Sequence, residues 1–244
     1  MYRLPISGRS LELRAVTGQE ELQLSEAAGD ARETALAFLT MLGDGESFGD
    51  LTVHDFECLL LQLRRANFGD LVLTEAPCAC GERVDISFRL SDLEAARQPH
   101  RSRYLQPADE AGWFAIDHIP AFRLPTIDDQ LAVRMARDPV AALAARCLRP
   151  GASTARSQRA MEALAPGISG PVTGVCPNCS RTLDLLFDMP TYLVAELRAR
   201  AQKVYEEAHV IARSYHWSED AILALPSERR RRYVAAILAE SGGS

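Results

Sequence analysis

The chain has 244 residues and a formal net charge of −6, with 47% apolar and 25% charged residues. This length supports a sizeable hydrophobic core, and the acidic balance excludes a general attraction to nucleic acid. No run approaches the roughly 20 apolar residues that a membrane span needs, and residues 1–5 lack the apolar run of a secretory signal. We therefore expect a cytoplasmic protein, whose reduced cysteines bind metal more often than they form disulfides.

The first 70 residues predict a short strand pair followed by helices. Residues 2–5 and 10–14 flank a turn at Gly8, and residues 19–42 have a polar helical pattern. Thr52 is suited to cap a third helix, which ends before Gly69. An apolar stripe at helical spacing marks that helix: Val53, Phe56, Leu59, Leu60 and Leu63.

The rest of the chain contains two cysteine pairs, each followed by an alternating strand. The first pair follows a predicted strand at 71–74, and the second lies at 176–179. Between them, residues 91–171 predict irregular and then mainly helical structure, most clearly over 128–148. After the second pair, a long helix starts near Thr191. Two short helices separated by Pro226 close the chain, and Ser218 is suited to cap the first of them. An apolar stripe at steps of three and four residues predicts that one face of the long helix is packed: Leu193, Leu197, Ala201, Val204, Ala208, Ile211 and Tyr215.

The two cysteine segments form a short internal repeat. When Cys80 is laid on Cys179, three apolar positions also match: Val84 with Leu183, Ile86 with Leu185 and Phe88 with Phe187. Paired thiolates in tight turns, each leading into a strand, are typical of a zinc ribbon, and four thiolates complete a closed tetrahedral site. We therefore predict a structural zinc ion held by Cys78, Cys80, Cys176 and Cys179.

The first cysteine pair departs from the usual spacing, because only Ala79 separates its members. This makes Cys78 the weakest of the four predicted ligands. Two alternatives remain open, a redox-active dithiol and simple buried thiols. A redox motif places its Cys-x-x-Cys at the start of a helix, whereas Cys179 leads into a strand. Cys58 and Cys147 lie in apolar helical contexts and are predicted to be core residues.

The sequence offers little that predicts catalysis. It has no glycine-rich phosphate loop, no Gly-x-Ser-x-Gly elbow and no dinucleotide fingerprint. His54, in the first turn of its helix, is predicted to be solvated or to cap that helix. The run Arg229–Arg232 in the last helix is compatible with a helix-turn-helix reader, but nearby acidic residues favour a solvated or partner-binding basic face.

Several segments taken in order resemble the T-even-phage-type baseplate protein family of contractile tails. They are LPISGRSLELRAVTG, LTVHDFECLLLQLRRANFGD followed by CACGE, FRLPTIDDQLAV, DPVAALAARCL, CPNC and SYHWSEDAILALPSERRRRY. The resemblance implies a non-enzymatic structural or assembly role in the baseplate hub of a bacteriophage tail or a contractile injection system. It also implies a zinc ribbon, which maps here to the two cysteine pairs.

We therefore expect an α+β fold with a small zinc-ribbon-like β core, an inserted helical lobe and a helical C-terminal arm. The expected parts are an N-terminal strand pair and helices at 1–70, ribbon halves at 71–90 and 172–190, a mainly helical insertion at 91–171 and the arm at 191–244. The expected partners are other baseplate, hub or tail-tube proteins, without membrane, nucleic acid or small-molecule substrate. The expected location is the bacterial cytoplasm during assembly, and then the baseplate. The alternative function is a zinc-ribbon regulator that binds nucleic acid.

Overall fold

The structure, a computed structural model, describes residues 1–27, 29–100, 106–108, 110, 112–116, 119–150 and 154–241. Helices and small antiparallel sheets give an α+β architecture. The helices are α1 (Gly18–Glu26), α2 (Ala31–Leu42), α3 (Val53–Phe68), α4 (Leu90–Ala96), α5 (Ile127–Val133), α6 (Pro139–Cys147), α7 (Thr154–Leu164), α8 (Met189–Tyr215), α9 (Glu219–Leu223) and α10 (Ser227–Ser241). None of these helices has both the length and the apolar content to span a bilayer.

The strands form short antiparallel pairs. They are β1 (Tyr2–Arg3), β2 (Ser10–Leu11), β3 (Leu71–Pro77), β4 (Arg83–Arg89), β5 (Gln106–Pro107), β6 (Trp113–Ile116), β7 (Ile119–Arg123), β8 (Gly170–Val175) and β9 (Thr182–Phe187). Three hairpins are β1–β2, β3–β4 and β8–β9, and a three-stranded sheet has the order β5-β6-β7. The predicted N-terminal strand pair is present, although its strands are shorter than expected.

The chain divides into two compact units, each built from two chain segments. Unit 1 contains residues 1–11 and 48–189, and unit 2 contains residues 12–47 and 190–244. Both cysteine hairpins belong to unit 1, whereas most of the long helix α8 belongs to unit 2.

Helix α3 is the buried centre of unit 1, and its prediction is confirmed. The hydroxyl of Thr52 accepts a hydrogen bond from the amide of Asp55 at 3.2 Å, which caps the first turn. Gly69 ends the helix with a φ of 83°, a left-handed conformation that glycine adopts without steric cost. Phe56, Leu59 and other apolar side chains of this helix are fully buried, so its apolar stripe faces the core as expected.

The segment 91–171 contains helices α4 to α7 and also the sheet β5-β6-β7, which the sequence did not predict. These strands have two to five residues, and their register shifts between Phe114 and Ile116. Strands this short show too little alternation to be recognised in a sequence. Phe122, Leu124 and Leu164 form the buried core of this region.

In unit 2, the predicted stripe of α8 is confirmed except at its last position, Tyr215, which is 39% exposed. Its apolar positions are buried: Leu193, Leu197, Ala201, Val204, Ala208 and Ile211. Ser218 caps α9 through the amide of Ala221 at 3.3 Å, as its position predicted. Ile222 of α9 and Val234 of α10 pack with Ile211 in one apolar cluster. The C-terminal helices therefore fold onto α8 through ordinary apolar contacts.

Candidate metal centre

The four paired cysteines lie in the tip loops of two β-hairpins of unit 1. Cys78 and Cys80 lie in the loop 78–82 between β3 and β4, and Cys176 and Cys179 lie in the loop 176–181 between β8 and β9. The amide of Cys78 donates to the Glu82 carbonyl at 2.8 Å, and the amide of Cys176 donates to the Arg181 carbonyl at 2.9 Å. The first loop is one residue shorter, as its shorter cysteine spacing requires, but it closes in the same way.

Each loop turns back immediately after its second cysteine. Gly81 and Ser180 occupy equivalent positions there, with φ values of 92° and 57°. Their amides donate to the carbonyls of Cys78 and Cys176, both at 2.9 Å. A side chain disfavours this left-handed conformation, so Ser180 in the second loop is strained, whereas Gly81 in the first loop is not. The two loops are therefore related turns with different residues at the position of positive φ.

The structure brings all four sulfur atoms together. The Cys78 and Cys179 sulfurs are 3.6 Å apart, the Cys80 and Cys176 sulfurs are 3.8 Å apart, and all four lie within 4.8 Å of one another. These distances exclude disulfides, and the cysteines are free. They also fit a tetrahedron, because metal–sulfur bonds of about 2.3 Å place the sulfurs about 3.8 Å apart. The four-cysteine cluster can therefore hold a metal ion.

Backbone amides already point at the sulfur atoms. The amide of Glu82 donates to Cys80, and this bond together with one from the Cys78 thiol lowers the pKa of Cys80 to about 7. The amide of Arg181 acts in the same direction on Cys179, but burial and the neighbouring thiols raise the pKa of Cys179 to about 12. The loops therefore favour a first thiolate, while the crowding of four sulfurs opposes further negative charge in the absence of a cation.

Apolar residues from the two halves of the repeat meet beneath the cluster. Val84 and Leu183 are buried in one cluster with Cys78 and Cys176. Farther from the loops, the rings of Phe88 and Phe187 meet edge to face, with centroids 5.3 Å apart. These are matched positions of the sequence repeat, so its two halves pack against each other at equivalent residues.

Two features of helix α3 help to hold the hairpins in place. The chain leaves α3 through Gly69 and enters β3 directly. The buried carboxylate of Glu57 accepts from the amides of Ile168 and Ser169 at 2.7 and 3.0 Å, which fixes the chain just before β8. Sequence reasoning missed Glu57, because its partners lie 111 and 112 residues away.

The remaining cysteines are core residues, as predicted, but the prediction for His54 is wrong. Cys58 and Cys147 are each 2% exposed. His54 is equally buried, with its Nδ1 bonded to the Pro166 carbonyl and its Nε2 3.4 Å from the Cys58 sulfur. Burial raises the pKa of Cys58 far above its usual range, so its thiol stays neutral. We therefore assign His54 and Cys58 a packing role. The Pro166 carbonyl provides the hydrogen bond that allows the imidazole to be buried, although the sequence predicted a solvated or capping histidine.

The four consecutive arginines do not form one exposed face. Arg230 is fully buried in unit 2, where it binds Glu21 and Glu207. Arg229, Arg231 and Arg232 are exposed. The predicted basic face therefore lacks one of its four charges, because tertiary packing gives Arg230 carboxylate partners from α1 and α8.

The comparisons with known proteins give one family. The family model described as T4 bacteriophage base plate protein matches residues 1–149, which is more than half of the chain. The matched residues include Cys78 and Cys80 and end before Cys176 and Cys179. No curated protein and no solved structure matches the chain. The chain therefore belongs to the T4 bacteriophage base plate protein family, as the sequence resemblance predicted.

Proposed function

We propose that this protein is a non-enzymatic structural or assembly protein of the baseplate hub of a contractile tail or injection system. We propose further that its two cysteine hairpins form a zinc ribbon around a structural zinc ion. Membership of the baseplate family supports the first statement. The observation that carries the second is the convergence of four free sulfurs within 4.8 Å. A zinc ion with four protein thiolates has no open position for a substrate, so its role is structural.

Zinc has a clear physical task at this position. Each hairpin has only two strands, and an isolated two-stranded sheet is marginally stable in water. About 95 residues separate Cys80 from Cys176 in the sequence. A metal ion bound by both loops would close this long segment and hold Phe88 against Phe187. We therefore expect metal removal to loosen both hairpins together.

The zinc proposal is tested by metal analysis of the purified protein. We expect one zinc per chain, and the variant Cys78→Ser should lose most of it and melt at a lower temperature. Cys147→Ser is the matched control, because it makes the same chemical change at a buried cysteine outside the cluster. Its zinc content per folded chain should stay at one. If Cys78→Ser kept all of its zinc and melted at the wild-type temperature, the proposal of a four-cysteine zinc site would be wrong.

The baseplate proposal is tested separately, by co-purification from the native producing cell and by mass spectrometry of the assembled particles. Recovery of the chain with hub, spike or tail-tube proteins is the expected result. Presence in mature particles would identify a permanent subunit, and presence only in assembly intermediates would identify an assembly factor. Recovery with RNA polymerase or DNA, without tail proteins, would contradict the proposal.

The alternative, a zinc-ribbon regulator that binds nucleic acid, has weaker support. It needs a concentrated basic surface, but Arg230, the second of the four consecutive arginines, is fully buried and cannot contribute to one. The net charge of −6 also opposes binding to a polyanion. Salt-dependent DNA binding that is lost when Arg229, Arg231 and Arg232 become alanine would favour the alternative.

A further inference from the structure

Unit 2 has an open groove between the end of α8 and the first half of α10. Its volume is about 560 Å³, and we call it the aromatic groove. Residues from one face of α10 form most of its wall, and Tyr215 of α8 and Pro226 complete it. The residues that line it are Tyr215, Pro226, Glu228, Arg229, Arg232, Tyr233 and Ala236. The zinc proposal does not use this surface, and Tyr233 also packs against the apolar cluster of unit 2.

Two residues that line the groove, Tyr215 and Tyr233, belong to a cluster of three aromatic rings that Trp217 completes. Tyr215 stacks on Trp217 with centroids 5.3 Å apart, and Tyr233 meets both rings edge to face at 5.7 and 5.1 Å. Tyr215 and Trp217 are nevertheless 39% and 38% exposed. Rings that hold one another in place lose little freedom when a partner covers them. Exposed Tyr and Trp beside Arg is also the composition of binding hot spots.

The charge of the groove selects the kind of partner. The Arg229 guanidinium carbon lies 6.0 Å above the Tyr233 ring, and Arg232 bonds Glu228 at 2.5 Å. Two arginines face one glutamate here, although the whole chain has a net charge of −6. The Arg232–Glu228 pair is largely exposed, and such pairs contribute little to stability, so an incoming carboxylate can replace Glu228.

We propose that the aromatic groove binds a short acidic segment of another baseplate protein, with an apolar side chain against the rings and carboxylates at Arg229 and Arg232. This inference rests on the proposed baseplate function, because that function supplies protein partners. A second copy of this chain, itself acidic, presents the same positive groove to its partner. Charge complementarity therefore favours a different protein with an exposed acidic segment.

The test uses the tryptophan next to the groove as the reporter. The sequence has two tryptophans, so the variant Trp113→Phe leaves Trp217 as the only one. The probe is an acetylated Glu-Glu-Phe-Glu-Glu peptide, titrated while Trp217 fluorescence is recorded. We expect a saturable change whose Kd rises as the salt concentration is raised from about 50 to about 300 mM. A Lys-Lys-Phe-Lys-Lys peptide should give no saturable change.

Matched variants then place the binding at the groove. Arg229→Gln with Arg232→Gln should raise the Kd about tenfold or more. Arg156→Gln with Arg159→Gln removes the same two charges from exposed positions of α7 and should leave the Kd within about twofold. Equal weakening by both pairs, or no response of Trp217 to the acidic peptide, would overturn the inference. An oligothymidylate that binds tighter than the peptide would overturn it in favour of nucleic acid.

These outcomes are independent of the baseplate test. If the protein co-purifies with the hub but the groove does not respond, only the groove inference fails. If the groove binds the peptide but the protein is absent from tail complexes, the proposed function fails, and the groove remains a site for acidic peptides.

Discussion

We expect substitutions of two adjacent arginines of helix α10 to differ strongly in their effect on the free energy of unfolding. Arg230 is fully buried, and its guanidinium donates hydrogen bonds to several groups. It binds the Glu21 carboxylate, bonds Glu207 at 3.0 Å and bonds the Leu225 carbonyl at 2.8 Å. Arg231, the next residue, is exposed. The substitutions Arg230→Gln and Arg231→Gln therefore make the same chemical change in opposite environments.

The expected loss of stability in Arg230→Gln follows from the carboxylates that lose a positively charged partner. Glu21 is 1% exposed and would keep the ion pair with Arg200 at 2.7 Å, but it would lose its second cation. Within the described part of the chain, Glu207 would keep a longer contact of 3.9 Å to Arg200. Removing one partner from a buried ion pair typically destabilises a protein by about 3–5 kcal/mol. For a chain of this size that corresponds to a drop of about 10 °C in melting temperature. We expect Arg231→Gln to stay within about 0.5 kcal/mol of wild type.

The assay is calorimetric unfolding of the three proteins in one buffer, with the transition of unit 2 followed by Trp217 fluorescence in the Trp113→Phe background. A double-mutant cycle with Glu21→Gln adds a second measurement. Glu21→Gln and Arg230→Gln should be strongly non-additive, because each removes the same contact. If Arg230→Gln and Arg231→Gln unfold at the same temperature, or if the cycle is additive, the ion-pair network does not stabilise unit 2 as described.

Two further predictions concern stability. A methyl group at Gly18 would lie 2.9 Å from the Leu223 side chain and 3.2 Å from its Cα. Gly18→Ala should therefore destabilise the protein by about 1–3 kcal/mol. Gly45 has open space around it but a φ of 87°, so Gly45→Ala tests the effect of backbone strain alone. Although burial acts to raise it, hydrogen bonds from Arg123 and Arg146 hold the pKa of Asp129 well below its usual range. Its contribution is complete above the unfolded pKa of about 3.9 and is lost as the pH falls below that value. Asp129→Asn should thus lower the melting temperature at pH 7 and flatten the acid limb of the stability curve, and an unchanged acid limb would contradict this assignment.

The sequence by itself predicts the α+β class, helix α3 and the stripe of α8. It also predicts the cysteine pairs with their following strands. Each of these features has a local signature. Thr52 and Gly69 mark the ends of one helix through their own backbone preferences. Val84 and Phe88 recur as Leu183 and Phe187 because two similar hairpins bury equivalent faces. The cysteine spacing predicts that the sulfurs converge, because two pairs of cysteines in tight turns are the usual ligand pattern of a tetrahedral zinc site.

Only the tertiary structure decides which polar groups become buried. From the sequence, His54 and Arg230 are both expected to be exposed to solvent. In the structure both are buried, and each has a hydrogen-bond partner that is distant along the chain. The partner of His54 is the Pro166 carbonyl, and a partner of Arg230 is the Glu21 carboxylate. Glu57 likewise looks like an ordinary polar helix residue, yet it fixes the approach to β8 through amides more than 100 residues away. Local sequence patterns record periodicity and turn chemistry, whereas the pairing of a buried polar atom depends on which distant segment packs against it.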